Sequence, residues 1–127
     1  MVSNNLNKRA FGTLGEKIAS EFLAKSGYKI IYHNYRVGKL GEIDIIAIDR
    51  EYICFIEVKT RTSTYFGMPS EAVTTKKQAT IHKIASIYLN QHKLYNRNVR
   101  FDIVEIIGSK NESNFEVKTI NLIQNAF

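Results

Sequence analysis

The chain has 127 residues, 18 of them basic and 12 acidic, with a formal net charge of +6 and a single cysteine, Cys54. That length accommodates one domain, residues 1–127, around one core. The lone cysteine excludes an internal disulfide and a multi-cysteine zinc site. The longest apolar run, residues 52–56, falls far short of the roughly 20 residues a membrane helix needs. The N-terminus lacks the apolar region of a signal peptide, so a cytoplasmic protein with no membrane partner is expected.

Apolar residues at Phe11, Leu14, Ile18, Ala19, Phe22 and Leu23 follow a helical spacing, and Gly27 stands where a C-cap belongs. Residues 28–35, rich in Tyr and Ile, read as a strand. GEIDIIAIDR (41–50) and EYICFIEVKTR (51–61) read as two more strands meeting in a tight turn. After the loop TSTYFGMPSEAV, Thr75-Lys-Lys-Gln78 has the form of a capping box opening a helix to about Gln91. Its apolar face is Ile81, Ile84, Ala85 and Tyr88. Residues 99–107 and 115–123 read as a fourth and fifth strand. The order is that of a mixed α/β fold.

The excess charge has a location. Between Ala72 and Phe101 lie Lys76, Lys77, Lys83, Lys93, Arg97 and Arg100 with no acidic residue, while basic and acidic residues balance at 12 each elsewhere. Such a stripe suits a polyanion, or else is a solvated helix face.

Asp44, Glu57 and Lys59 interrupt otherwise apolar strands. Glu57 and Lys59, two apart, share a strand face. A hairpin centred between Arg50 and Glu51 places Asp44 directly across from Glu57, with Cβ atoms about 5 Å apart. Two facing carboxylates require a positive partner: Lys59, a shared proton, or a divalent cation. Carboxylate oxygens suit Mg²⁺, which can lower the pKa of a bound water, and an adjacent ammonium stabilises developing negative charge. That arrangement calls for phosphodiester hydrolysis. The competing explanation is chance, because Asp102, Glu116 and Lys118 repeat the pattern with a separation of 14 residues instead of 13.

Gly15-Glu16, GEIDIIA, FIEVKTR, FGMPSEAV, the lysine-rich helix, RFDIVEI and a closing Asn-Ala-Phe occur in order along nearly the whole chain. In these motifs the chain resembles the YraN-like family of bacterial proteins. That family is assigned to the restriction-endonuclease-like fold of PD-(D/E)XK nucleases and is similar to archaeal Holliday-junction resolvases, which are dimeric. The resemblance implies an αβββαβ core, a mixed central sheet flanked by helices. It implies Mg²⁺ or Mn²⁺ held by Asp44 and Glu57, with Glu16 as a helix-borne carboxylate ligand, direct or through water. Lys59 would stand beside the nucleophilic water, completing a catalytic set of Glu16, Asp44, Glu57 and Lys59. Ile43 occupies the position of the Pro in the PD motif. Helical periodicity alone does not separate Glu16 from Glu21, which flanks the apolar face at a similar angle.

The expected function is therefore metal-dependent endonucleolytic hydrolysis of DNA, including branched DNA such as Holliday junctions, by a homodimer. The alternatives are a non-catalytic nucleic-acid-binding or scaffold protein that keeps the fold, and a small basic protein with solvated carboxylates. Arg36, Lys39 and Arg61 flank the carboxylate strands as phosphate contacts, and Lys77 projects where it could reach a phosphate near the site. Lys76 shares the opposite helix face with Lys83. Gln78 is either the capping-box partner or an auxiliary residue positioning substrate or water. Tyr65 and Phe66 are candidates to stack on a base or to pack on the core. His33, His82 and His92 have no partner at ligand spacing, and Cys54 reads as a small buried hydrophobe.

Overall fold

The computed structural model describes residues 8–62, 73–110 and 114–127; Tyr65 and Phe66 lie outside the described residues. Helix α1 (Lys8–Lys25) leads into a meander of β1 (Lys29–Val37), β2 (Gly41–Asp49) and β3 (Tyr52–Arg61). Helix α2 (Thr75–Gln91), β4 (Asn98–Lys110) and β5 (Phe115–Ile123) follow. The strands form one five-stranded sheet in the order β1-β2-β3-β4-β5. All neighbours are antiparallel except β3 and β4, which run parallel from Tyr52/Asn98 to Arg61/Ile107. The parallel pair demands a crossover, and α2 supplies it. This is the expected αβββαβ core with β5 added at the edge.

The sheet is covered on both faces. Ile53 and Phe55 of β3 and Ile103 of β4 meet Ile81, Ile84, Ala85 and Tyr88 of α2. On the other face Cys54, Ile56, Val104 and Ile106 meet Ala19 and Leu23 of α1. Strand β3, central to the sheet, is therefore buried on both sides, and its unbroken run Ile-Cys-Phe-Ile reflects that. Each fully buried Ile or Phe side chain contributes about 1.5–3 kcal/mol.

Local signals set the element ends. Helix α1 closes on Gly27 at φ 95°, with the Tyr28 N–H reaching back to the Leu23 carbonyl at 2.9 Å. The β2–β3 turn places Arg50 at φ 58° and pairs Asp49 with Tyr52. Helix α2 is capped one residue earlier than the sequence predicts. Thr74, extended at φ −61° and ψ 159°, accepts the Lys77 N–H on its hydroxyl at 3.1 Å. Lys77, not Gln78, thus holds the third helical position, and the Gln78 amide donates instead to the Val73 carbonyl at 2.9 Å. No helix among the described residues is long and apolar enough to cross a membrane.

Candidate functional site

The site forms where β2 and β3 stop pairing. Their ladder runs from Asp49/Tyr52 to Ile45/Ile56, the register predicted from the turn. One step further Asp44 faces Glu57, but instead of a continued ladder the Val58 N–H is taken by Asp44 Oδ2 at 2.8 Å. The side-chain alternation of β2 shifts here as well. Ile43 and Ile46 pack toward α2, whereas Ile45 and Ala47 pack toward α1. Asp44 lies within this irregularity and directs its carboxylate along the hydrogen-bonding direction of the sheet. The neighbouring strand shares the irregularity: Asn34 of β1, flanked by the pairs His33/Ile45 and Tyr35/Ile43, has φ 53°.

Glu57 continues β3 on the α2 face and is 1% exposed. Its Oε2 pairs with Lys77 Nζ at 3.1 Å, and its Oε1 is buried with no hydrogen-bond partner. Burial, reinforced by the Asp44 charge, pushes its carboxyl up to about 7, against the opposing pull of Lys77. Burial likewise raises Asp44, countered by the Val58 N–H and by Lys77. Burial and the Lys77 charge push the Lys59 ammonium down. For Lys77 burial acts downward, but the Glu57 charge beside it prevails and raises it.

Helix α1 delivers Glu16 from the opposite face. Gly15 permits this, because a Cβ there would stand 1.9 Å from Thr60 Oγ1 and 3.1 Å from Thr60 Cβ on β3. The following residue is thereby held against the strand that carries Glu57 and Lys59. The Glu16 carboxyl is raised by burial and by Asp44 and Glu42, and lowered by a hydrogen bond from Asn34. The structure thus gathers Glu16, Asp44, Glu57, Lys59 and Lys77, although among the described residues no three His, Cys, Asp or Glu side chains form a ready metal cluster.

Glu42 and Asn34 also belong to this neighbourhood, and the sequence reasoning missed them. Glu42, two residues before Asp44, was open to the same strand arithmetic. It lines both a groove of about 380 Å³ shared with Asp44, Thr74, Lys76, Lys77 and Thr80, and one of about 660 Å³ along α1 with Arg9, Lys17 and Glu16. Asn34 carried no sequence signal.

The remaining candidates are dispersed. Arg36 pairs with Glu42 at 3.4 Å on the surface, and Lys39 is exposed between β1 and β2. Lys76 is exposed on the groove wall. Arg61 forms a largely buried ion pair with Glu105. Gln78 is engaged with the Val73 carbonyl, not with the carboxylates. The histidines have other neighbours: His82 stacks on Phe127 and lies tilted over Phe101, His92 stacks on Tyr88, and His33 meets Ser20 at 3.5 Å.

The competing Asp102, Glu116 and Lys118 pattern does not converge. Glu116 pairs with Ser109 at an exposed edge, whereas Asp102 is fully buried and held by Arg100, Tyr28 and the Asn125 N–H. Arg100 also reaches Asp49 at 2.9 Å. Arg100 and Lys77, two of the six cations in the basic segment, are therefore spent on internal carboxylates.

An αβββαβ sheet that parts around two facing carboxylates, with lysines from β3 and α2, defines an α/β protein with a nuclease-like core. The chain belongs to the family described as Uncharacterised protein family UPF0102, the YraN-like family, whose model matches residues 15–106. It is 48% identical over 126 residues to a UPF0102 protein of Acetivibrio thermocellus, covering 99% of this chain and 97% of that one. It is 46% identical to one of Caldanaerobacter subterraneus subsp. tengcongensis, covering 96% and 98%, and 49% identical to one of Caldicellulosiruptor saccharolyticus, covering 96% and 100%.

Proposed function

We propose that this protein is a metal-dependent endonuclease hydrolysing DNA phosphodiester bonds, branched junctions included, with Asp44 and Glu57 holding Mg²⁺ or Mn²⁺. The observation that carries the reading is Glu57: a carboxylate 1% exposed, facing Asp44, with Oε1 buried and unpartnered. Burying charge without full compensation costs several kcal/mol. An all-oxygen donor set with an orphaned oxygen fits a hard divalent cation.

When bound, such an ion supplies an acidified water and neutralises phosphoryl charge. The chain's own residues do the rest. Asp44 is fixed by the Val58 N–H, so its second oxygen keeps a defined direction. Glu16, reaching the site from α1, acts as an outer carboxylate directly or through water. Lys59, its ammonium weakened by burial and by Lys77, would take a proton from the attacking water as the neutral amine, or as the ammonium stabilise the developing negative charge. Lys76 and Lys39 stand exposed to position a phosphate backbone. Cutting both strands of a junction favours a symmetric dimer.

One observation favours a second reading, a nucleic-acid-binding or scaffold protein without turnover. The Lys77–Glu57 pair balances part of the buried charge without any metal. Incubation of the purified protein with linear, flapped and four-way DNA, with and without Mg²⁺ or Mn²⁺, separates the two. Cleavage that needs the ion and is lost in Glu57→Ala and Lys59→Ala supports the nuclease. Ion-independent binding with no cleavage of any substrate overturns it in favour of the scaffold.

A further inference from the structure

The ion pair between Lys77 and Glu57 is asymmetric. The Glu57 side chain is 2% exposed, whereas that of Lys77 is 44% exposed. The carboxylate is carried on β3 and almost wholly covered; the ammonium, on a flexible four-carbon stem, reaches solvent. Only one partner of the pair can leave.

Helix α2 sharpens the point. Lys76 and Lys77 both occupy its first turn, which holds no acidic residue. Positive side chains at a helix N-terminus oppose the macrodipole by about 0.3–1 kcal/mol each. Lys77 is therefore held by the carboxylates and not by its helix. Glu42 and Glu16 add negative charge around Asp44, and the cations that act on the Asp44–Glu57 pair are Lys77 and Lys59. A divalent cation on Asp44 and Glu57 would take over the compensation that Lys77 supplies to Glu57 Oε2, and the ammonium is the partner free to move away. The groove lined by Asp44, Thr74, Lys76, Lys77 and Thr80 lies beside it.

We infer that Lys77 is the resident counter-ion of Glu57, that a divalent cation displaces it, and that the freed ammonium then takes a phosphate oxygen of the nucleic-acid backbone. This rests on Asp44 and Glu57 being the metal-holding pair. Lys77 is on this view a positioning residue whose place depends on the metal, and metal loading and phosphate capture share one side chain.

Calorimetric titration of Mn²⁺ into the full chain tests the exchange in wild type, Lys77→Met, Lys77→Arg and Lys83→Met. Without a competing ammonium, Lys77→Met should bind Mn²⁺ about two- to fivefold tighter, the scale of a partly exposed ion pair. Lys77→Arg, which keeps a competing charge, and Lys83→Met, exposed on the same helix outside the groove, should match wild type. Binding of a fluorescent DNA duplex in Ca²⁺ should weaken in Lys77→Met. Unchanged or weaker Mn²⁺ binding in a folded Lys77→Met overturns the inference. If that variant does not fold, the Lys77 ammonium resonance of the wild type decides: loss of its Glu57-bonded shift on adding Mg²⁺ supports exchange, and persistence overturns it. Wild type that binds no Mn²⁺ at millimolar concentration refutes the metal site itself, an outcome distinct from intact binding that ignores position 77.

Discussion

Asp44 stands opposite Glu57 in register yet spends one carboxylate oxygen on the backbone of Val58, at 2.8 Å, at the point where β2 and β3 separate. The same side chain therefore ends the ladder and faces the buried glutamate. Its two tasks can be separated. Asp44→Asn keeps an acceptor for the Val58 N–H and removes a charge, so stability without divalent ions should hold or rise. Asp44→Ala strands that N–H and should cost about 1–3 kcal/mol. Chemical denaturation of the two variants makes the comparison, and both should lose Mn²⁺ binding.

Stability should fall as pH rises across the Glu57 titration. Its carboxyl is raised from the ordinary 4.5 to about 7 in the folded protein, chiefly by burial. Between those values the folded state holds a proton that the unfolded state has released, so unfolding becomes easier with each step upward in pH. The raised Asp44 carboxyl adds in the same direction. Denaturation midpoints from pH 4 to 8 should decline across this window in wild type, and Glu57→Gln should flatten the decline.

Gly15→Ala should destabilise the protein by about 1–3 kcal/mol, since overpacking outweighs the gain in helix propensity. The added Cβ meets Thr60 Oγ1 at 1.9 Å and Thr60 Cβ at 3.1 Å. Adding Thr60→Ala removes the closer clash and should recover part of the loss. A single variant more stable than wild type would show that α1 does not rest on β3 at this point.

Arg61→Met should destabilise by about 2–4 kcal/mol because it leaves Glu105, a side chain 3% exposed, without its cation. The double variant Arg61→Met, Glu105→Gln should be less damaged than the single. Loss of DNA binding in Arg61→Met with stability unchanged would instead restore Arg61 as a phosphate contact.

Much of the fold was legible because its determinants are local. The Arg50–Glu51 turn fixed the β2–β3 register, and the spacing of Ile81, Ile84, Ala85 and Tyr88 fixed the buried face of α2. The cap of α2 was misplaced by one residue because two threonines adjoin and only the extended backbone of Thr74 selects between them. Asp44, Glu57 and Lys59 followed from strand arithmetic, whereas Glu16 needed the family motif. The partners of Lys77 and Arg61 were not legible. Lys77 meets Glu57 only because the crossover brings the start of α2 back beside β2, within reach of the next strand, and Arg61 meets Glu105 only through the β3–β4 register. Asn34 bends β1 at a positive φ that its neighbours do not announce.

Cys54 lies in the central strand, fully buried, with its thiol pushed up to about 12 by burial and by the nearby Asp102. Such a thiol resists alkylation while the sheet is closed, since the thiolate is the reactive form. The chain therefore contains its own clock: the rate at which a thiol reagent consumes Cys54 counts openings of the sheet. Comparing that rate with and without Mg²⁺ would report, with no added label, whether an ion bound between β2 and β3 clamps the strands together.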